Sequence, residues 1–86
     1  MYTESIIVRN AQGLHARPAS KLVELASEYA SDIKVECKDK VINAKSILSV
    51  LAGGVYAGSE IVLKIEGADE QVAAPVLSNF LNNLPD

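Results

Sequence analysis

Four segments of the chain carry apolar residues with the period of two that is expected for strands with one buried face. The clearest is DIKVECK, in which Ile33, Val35 and Cys37 point to one side and the charged residues between them point to the other. The other three are TESIIVRN, VINA and GSEIVLKIEG, at positions 3–10, 41–44 and 58–67. A short turn before VINA predicts a hairpin with the preceding strand.

Three further segments place apolar residues at helical spacing. ARPASKLVELASEY covers positions 16–29, and SILSVLAGG begins at Ser46, a favoured N-cap residue, and ends at two glycines. ADEQVAAPVLSNFLNNL, at 68–84, carries a stripe formed by Val72, Ala73, Val76, Leu77, Phe80, Leu81 and Leu84. Pro75 removes one helical hydrogen bond, so we expect a kink there or a helix that begins after Glu70.

The resulting order of elements is β-α-β-β-α-β-α. It predicts an α+β sandwich, in which helices cover one face of a mainly antiparallel sheet while the other face meets water. The chain has 86 residues, a length that suits one small domain spanning 1–86.

Composition and charge narrow the functional classes. The net charge of −3 argues against a nucleic-acid partner, because phosphate backbones require a clustered cationic surface. A single cysteine permits no internal disulfide and suggests no cysteine-based zinc site. No apolar run reaches the ~20 residues of a membrane span, and the start MYTESIIVRN does not resemble a signal peptide. We therefore expect a cytoplasmic protein that does not insert into membranes.

The segment GLHARPAS, at positions 13–20, brings candidate chemistry to the start of the first predicted helix. His15 is the only histidine of the chain, and Arg17 adds a planar cation suited to phosphate. A helix N-terminus also presents backbone N–H groups and the positive end of its dipole, and we assign the phosphate-binding amides to Ala16 and Arg17. This combination favours a histidine that accepts and passes on a phosphoryl group over metal catalysis or acyl transfer.

The residues alone leave a second interpretation open. A lone histidine near a helix start is often a capping or surface residue with no chemical role. Ser46 and the apolar residues after it are likewise compatible with a plain N-cap and a core-facing helix.

Two separated motifs carry a family resemblance. GLHARPAS resembles the phosphorylation-site signature of HPr, the histidine-containing phosphocarrier family of the bacterial sugar phosphotransferase system. NAKSILSVLAGG resembles the second signature of that family, around its regulatory serine, and EGADEQ before the last helix also resembles the family. The resemblance covers essentially the whole chain. It implies an open-faced β-sandwich, with a four-stranded antiparallel sheet and three helices on one side.

The resemblance also implies roles for individual residues. His15 would be phosphorylated on Nδ1 by enzyme I, at the expense of phosphoenolpyruvate, and would pass the group to enzyme IIA components of sugar permeases. Arg17 would be the active-site arginine. Ser46 would be the target of an HPr kinase/phosphorylase, with a catabolite-control transcription regulator as a further partner. The implied protein is a monomeric carrier without metal or cofactor, and is a substrate of the chemistry more than a free-standing enzyme.

Partner docking is expected around the same helices. The resemblance assigns an apolar docking patch to Ile47, Leu48 and Leu51, while Lys21 and Lys45 are the lysines expected near the site. Two alternative functions remain at this stage. One is a carrier in a nitrogen-regulatory phosphotransfer chain, and the other is a purely regulatory corepressor that acts through phosphorylated Ser46, although such a corepressor does not need His15.

Overall fold

The computed structural model describes residues 1–84 and confirms the predicted order of elements. The elements are β1 (Tyr2–Ile7), α1 (Ala16–Ala26), β2 (Asp32–Cys37), β3 (Lys40–Asn43), α2 (Ile47–Ala52), β4 (Glu60–Glu66) and α3 (Glu70–Asn82). The expected domain, 1–86, includes Pro85 and Asp86, which lie outside the described residues.

The four strands form one antiparallel sheet in the order β1-β4-β2-β3. Its register pairs apolar residues across neighbouring strands, as at Ile6 with Ile61 and Val35 with Leu63. Because side chains alternate between the faces of a strand, this register collects the apolar residues on one face. The buried members of that face are Ile6, Ile33, Val35, Cys37, Ile42, Ile61, Leu63 and Ile65.

The helices bury their apolar faces against this side of the sheet. Leu22 of α1, Val50 of α2 and Leu77 of α3 are each at most 1% exposed. Burying a side chain of this size contributes about 1.5–3 kcal/mol, so the shared core holds the two layers together. The other face of the sheet is exposed at Ile7 and Val41. The predicted open-faced arrangement is therefore confirmed.

Two predicted boundaries are too long. Helix α1 ends at Ala26, three residues before the predicted end at Tyr29, and α3 ends at Asn82 and not at Leu84. After Ala26 the amides of Glu28 and Tyr29 bond to the carbonyls three residues earlier, which tightens the last turn. Tyr29 and Leu84 still pack against the core from outside the helices.

The predicted apolar stripe of α3 is wrong at two positions. Val72 is 62% exposed and Val76 is 36% exposed, while the buried residues are Ala73, Ala74, Leu77 and Leu81. Those four lie at i, i+1, i+4 and i+8, a narrower stripe than the sequence suggested. The two valines lie beside this stripe. The buried alanines are small, which allows the helix to pack close to the sheet.

Helix α3 decides one of the two alternatives predicted at Pro75. The helix begins at Glu70 and continues through this proline, so the expected later start is wrong. Pro75 is exposed, which leaves its ring on the outer surface of the helix. It still has no amide hydrogen to donate to the preceding turn.

Candidate functional site

His15 lies at the N-terminus of α1, as its N-cap residue. Its backbone is extended, with φ −79° and ψ −175°, and its carbonyl accepts the first helical bond from the Ala19 N–H at 2.9 Å. Its side chain makes no capping hydrogen bond. The imidazole is therefore not used to cap the helix that it starts.

The first turn of α1 leaves two backbone amides without a helical acceptor. Pro18, the third helical residue, has no N–H, and the Ala19 N–H is already bonded to His15. The remaining amides, those of Ala16 and Arg17, have no intrahelical partner because a helix leaves its first N–H groups unpaired. These are the two amides assigned to phosphate binding from the sequence. They lie at the positive end of the helix dipole.

The two nitrogens of the His15 ring are not equivalent. Nε2 is buried and has no hydrogen-bond partner among the described residues. Burial of Nε2 favours attack by the other ring nitrogen, Nδ1. The arrangement offers a nucleophilic nitrogen beside backbone donors and a helix N-terminus, which suits an anionic group bonded to the ring.

The loop before His15 is held by contacts that fix its backbone. Gly13 has a φ of +61°, and a Cβ placed on it would lie 2.3 Å from the Val55 carbonyl oxygen. The next amide, that of Leu14, donates to the same oxygen at 3.1 Å. The buried Asn10 donates from Nδ2 to the Gly13 carbonyl at 2.9 Å. The loop thus closes on itself and rests on the backbone near Val55.

Sequence reasoning had singled out Gly13 but missed Asn10 and Val55. An asparagine before a glycine is a usable turn signal, since its side chain can bond to nearby backbone. The contact with Val55 joins segments about forty residues apart, and nothing in the local sequence indicates it.

The two basic residues on the exposed face of α1 differ in their pairing. Arg17 is exposed, and no ion pair to it forms within residues 1–84. Lys21 lies one turn further along and pairs with Glu24 at 3.5 Å. Both partners of that pair are well exposed, so water screens it strongly. Of these two cations, Arg17 is the one without an ion pair in the described residues and the one nearer to His15 in sequence.

The expectation that Lys45 stands near His15 is wrong. Its Nζ donates to the Tyr29 carbonyl at 2.6 Å, beyond the C-terminal end of α1. His15 is at the opposite end of this helix, whose 11 residues rise about 16 Å. Lys45 therefore ties the segment before α2 to the turn that follows α1.

Ser46 is the N-cap of α2, as predicted. Its Oγ accepts a hydrogen bond from the Ser49 N–H at 3.3 Å, and its carbonyl accepts one from Val50 at 3.0 Å. The Ser49 hydroxyl in turn accepts from the Asn43 N–H at 2.9 Å, which ties the helix to the end of β3. The serine is half-buried, at the first turn of a six-residue helix.

The apolar residues after Ser46 divide between core and surface. Val50 is buried, whereas Ile47, Leu48 and Leu51 are 38%, 78% and 48% exposed. We call these three residues the α2 patch. They lie at i, i+1 and i+4 of one short helix and so form a small apolar patch on its surface.

Within residues 1–84, no group of three or more histidine, cysteine or acidic side chains could hold a metal ion. The helices in this part of the chain are too short or too polar to cross a bilayer.

Comparison with known proteins gives consistent matches. The family model described as "PTS HPr component phosphorylation site" matches residues 2–83. A phosphocarrier protein HPr of Lysinibacillus sphaericus is 40% identical over 84 residues, which cover 98% of this chain and 96% of the relative.

Solved structures agree with these matches. HPr-C-His from Thermoanaerobacter tengcongensis is 41% identical, with a TM-score of 0.89 over 94% of this chain and 91% of that one. The Bacillus subtilis catabolite-repression protein Crh, described as a dimer with a swapped domain, is 36% identical. Its TM-score is 0.75 over 99% of this chain and 100% of that one.

Proposed function

Because this chain belongs to the HPr phosphocarrier family of the bacterial phosphotransferase system, we propose that it carries a phosphoryl group on His15. Enzyme I donates the group, which originates from phosphoenolpyruvate, and enzyme IIA components of sugar permeases receive it. The observation that carries the proposal is His15 itself, which is the N-cap of α1, makes no capping hydrogen bond with its side chain and has a buried Nε2 without a partner among the described residues.

The chemistry follows from this geometry. The Nδ1 lone pair attacks phosphorus, and the bond between phosphorus and its leaving group on enzyme I breaks. The amides of Ala16 and Arg17 and the Arg17 guanidinium stabilise the negative charge on the phosphoryl oxygens. In the next step an acceptor on enzyme IIA attacks the same phosphorus, and His15 Nδ1 leaves with the electron pair. The protein thereby returns to its starting state, as a carrier does. In this proposal the transfer takes place in the cytoplasm and uses no metal or cofactor.

We propose that a single HPr-like domain, 1–86, performs this role as a monomer. The location of His15 favours the carrier role over a purely regulatory corepressor, which has no use for an unpaired imidazole at a helix N-terminus. A nitrogen-regulatory carrier would use the same residues and would differ only in the acceptor that takes the phosphoryl group.

Regulation at Ser46 is a second function supported by a specific observation. The serine lies directly before the exposed α2 patch, so a phosphate on it would alter the surface that we assign to partner docking. An HPr kinase/phosphorylase would add that phosphate, and a catabolite-control transcription regulator would read it.

The proposed function is tested with labelled phosphoenolpyruvate and enzyme I. We expect label that is labile in acid and stable in alkali, as for a phosphohistidine. It should be absent from His15→Ala, which leaves the chain without histidine. Label that persists in this variant would overturn the proposal. Transfer of the label to a sugar-specific IIA domain, but not to a nitrogen-regulatory one, would assign the branch.

A further inference from the structure

The His15 ring has few contacts of its own that could orient it. Its side chain makes no capping hydrogen bond at α1, and its buried Nε2 has no partner among the described residues. The direction in which Nδ1 points therefore depends on packing and on the backbone that carries the ring. The residues after His15 are fixed as the first turn of α1, so the backbone before it decides the rest.

The loop that leads into α1 is anchored at both of its ends on the segment before β4. At its start, the Val8 N–H donates to the Ser59 carbonyl at 2.9 Å, and the Val8 carbonyl accepts from the Gly58 N–H at 2.8 Å. At its end, the Leu14 N–H donates to the Val55 carbonyl at 3.1 Å. The shape of the chain between these anchors determines how it enters the helix.

One peptide unit of this loop is held through both of its polar groups. It joins Gly13 to Leu14, and its carbonyl accepts from Asn10 Nδ2 at 2.9 Å while its N–H donates to Val55. Because a peptide unit is planar, bonds to its two opposite sides fix its orientation. The bond from Asn10 is buried, so water cannot readily replace it. The next peptide unit along the chain leads directly to His15.

Asn10 is unusual in being a polar side chain inside the protein. Among the described residues the buried polar side chains are Asn10 and Ser31, which are 6% and 1% exposed. The Ser31 hydroxyl bonds to Asp69 and joins segments that are far apart in the chain. The bond from Asn10 to Gly13 spans only three residues, so it shapes the loop rather than joining distant parts of the fold.

Resting on the proposed function, we infer that Asn10 is a positioning residue for phosphoryl transfer. Its amide holds the Gly13 carbonyl, which orients the peptide unit leading to His15 and thereby the imidazole. The ring is then presented to an incoming phosphorus in one orientation, and it does not have to be ordered during the reaction. Asn10 acts through the backbone and not on the reacting atoms.

The test uses two variants of Asn10 and a matched control. Asn10→Ala removes the amide, whereas Asn10→Asp keeps its shape but has no hydrogen to donate at mildly alkaline pH, where a carboxyl group is ionised. Ser31→Ala is the control, because it removes a hydrogen bond of the other buried polar side chain, at the turn after α1. Urea unfolding reports the stability of each variant, and rates are measured under conditions in which the protein is folded.

Two phosphoryl donors give the readouts. Phosphoramidate is a small donor that needs no docking surface, and in its reaction Nδ1 of His15 bonds to phosphorus while ammonia leaves. Enzyme I gives kcat and KM separately. We expect both Asn10 variants to react about 10-fold more slowly with phosphoramidate and to lose a similar factor in kcat, because misplacing a reacting atom by about 1 Å can cost up to about 100-fold. KM should change by less than about twofold, and Ser31→Ala should keep the wild-type rates however much stability it loses.

Several results would overturn this inference. One is a pair of Asn10 variants that react as fast as the wild type, and another is an equal loss of rate in Asn10→Ala and Ser31→Ala. A change in KM alone would assign Asn10 to docking, and loss of the fold in both variants would make it a purely structural residue. The proposed function fails by a different result, namely a wild type that takes no phosphoryl group from enzyme I at His15.

Discussion

At the scale of single residues, the site depends on a backbone conformation as much as on the side chains that carry the chemistry. His15 and Arg17 could be identified from their residue types and from their position before a helix. The hydrogen bond from Asn10 and the contact between Gly13 and Val55 could not, because they depend on a loop shape that only the folded chain defines. Both contacts hold the residues immediately before His15.

Gly13→Ala should be more destabilising than Gly58→Ala. Both glycines have a positive φ, which costs a residue with a side chain roughly 1–2 kcal/mol. A Cβ at Gly13 would also meet the Val55 carbonyl, whereas a Cβ at Gly58 meets nothing within 4 Å. We expect an additional loss of about 1–3 kcal/mol at Gly13, measured by urea unfolding of the two variants. Equal losses would show that the loop does not rest on Val55.

Arg17→Glu should slow phosphoryl transfer to and from His15 while leaving the melting temperature nearly unchanged. An exposed charge at a helix end contributes only about 0.3–1 kcal/mol, and a carboxylate suits the N-terminus of α1 better than a guanidinium. Transfer rates and thermal melts of the variant give the two readouts, with Lys34→Glu as a control for the change in net charge. A large fall in melting temperature with intact transfer would indicate a structural role for Arg17.

At the scale of elements, the buried face of a helix was harder to predict than the helix itself. The six residues of α2 are too few for a reliable periodicity, and the sequence left it open whether its apolar residues are core or surface. In the structure only Val50 of its large apolar residues is buried, and the other three, Ile47, Leu48 and Leu51, form the α2 patch. For α3 the predicted buried stripe was too wide. Val72 and Val76 fit helical spacing, but they are exposed, and the buried residues form a narrower row beside them.

Ser46→Asp should slow phosphorylation of His15 and keep the fold. Aspartate is as good an N-cap as serine, so α2 is preserved, whereas Ser46→Ala should cost about 1 kcal/mol. The added charge lies beside the α2 patch and would repel an acidic partner, an effect that salt weakens. Initial rates at low and high salt for the wild type and both variants test this. Equal rates for all three would leave Ser46 as a helix cap alone.

At the scale of the whole molecule, one carboxylate joins parts of the chain that are far apart in sequence. Asp69, the residue before α3, accepts hydrogen bonds from the Ala30 N–H at 2.8 Å, the Ser31 N–H at 2.9 Å and the Ser31 hydroxyl. These bonds attach the start of α3 to the turn between α1 and β2. The sequence analysis did not pair these segments, because they lie almost forty residues apart.

This contact predicts a pH dependence of stability. The bond from the Ser31 hydroxyl, followed by that from the Ala30 N–H, lowers the pKa of Asp69 below its ordinary value. The unfolded chain therefore binds a proton more readily than the folded one. The stabilisation is fully present above the ordinary pKa of 3.8, and is lost as the pH falls through the lower pKa of the folded state.

Urea unfolding from neutral pH down to about pH 2 measures this effect. Asp69→Asn should be less stable than the wild type at neutral pH and should lose less stability in acid. Ser31→Ala removes the largest cause of the lowered pKa and should give an intermediate slope. Identical slopes in all three proteins would show that other carboxylates account for the loss in acid.

The fold was largely predictable because the period of two and the helical spacing report directly on which faces are buried. Seven elements, their order and the open face of the sheet followed from those patterns. The site was predictable to the extent that a helix N-terminus with His15 and Arg17 is a local feature. The position of Lys45 was not, because a long flexible side chain can reach a carbonyl at the far end of a neighbouring helix.

The central claim, that His15 carries the phosphoryl group on Nδ1, is tested most directly by NMR of protein labelled with ¹⁵N-histidine. The chain contains one histidine, so the two ring nitrogens give unambiguous signals. After reaction with phosphoenolpyruvate and enzyme I, we predict coupling of phosphorus to Nδ1 alone, and its disappearance once an enzyme IIA domain is added. A phosphorylated protein with both ring nitrogens unchanged, or with phosphorus on Nε2, would contradict this account.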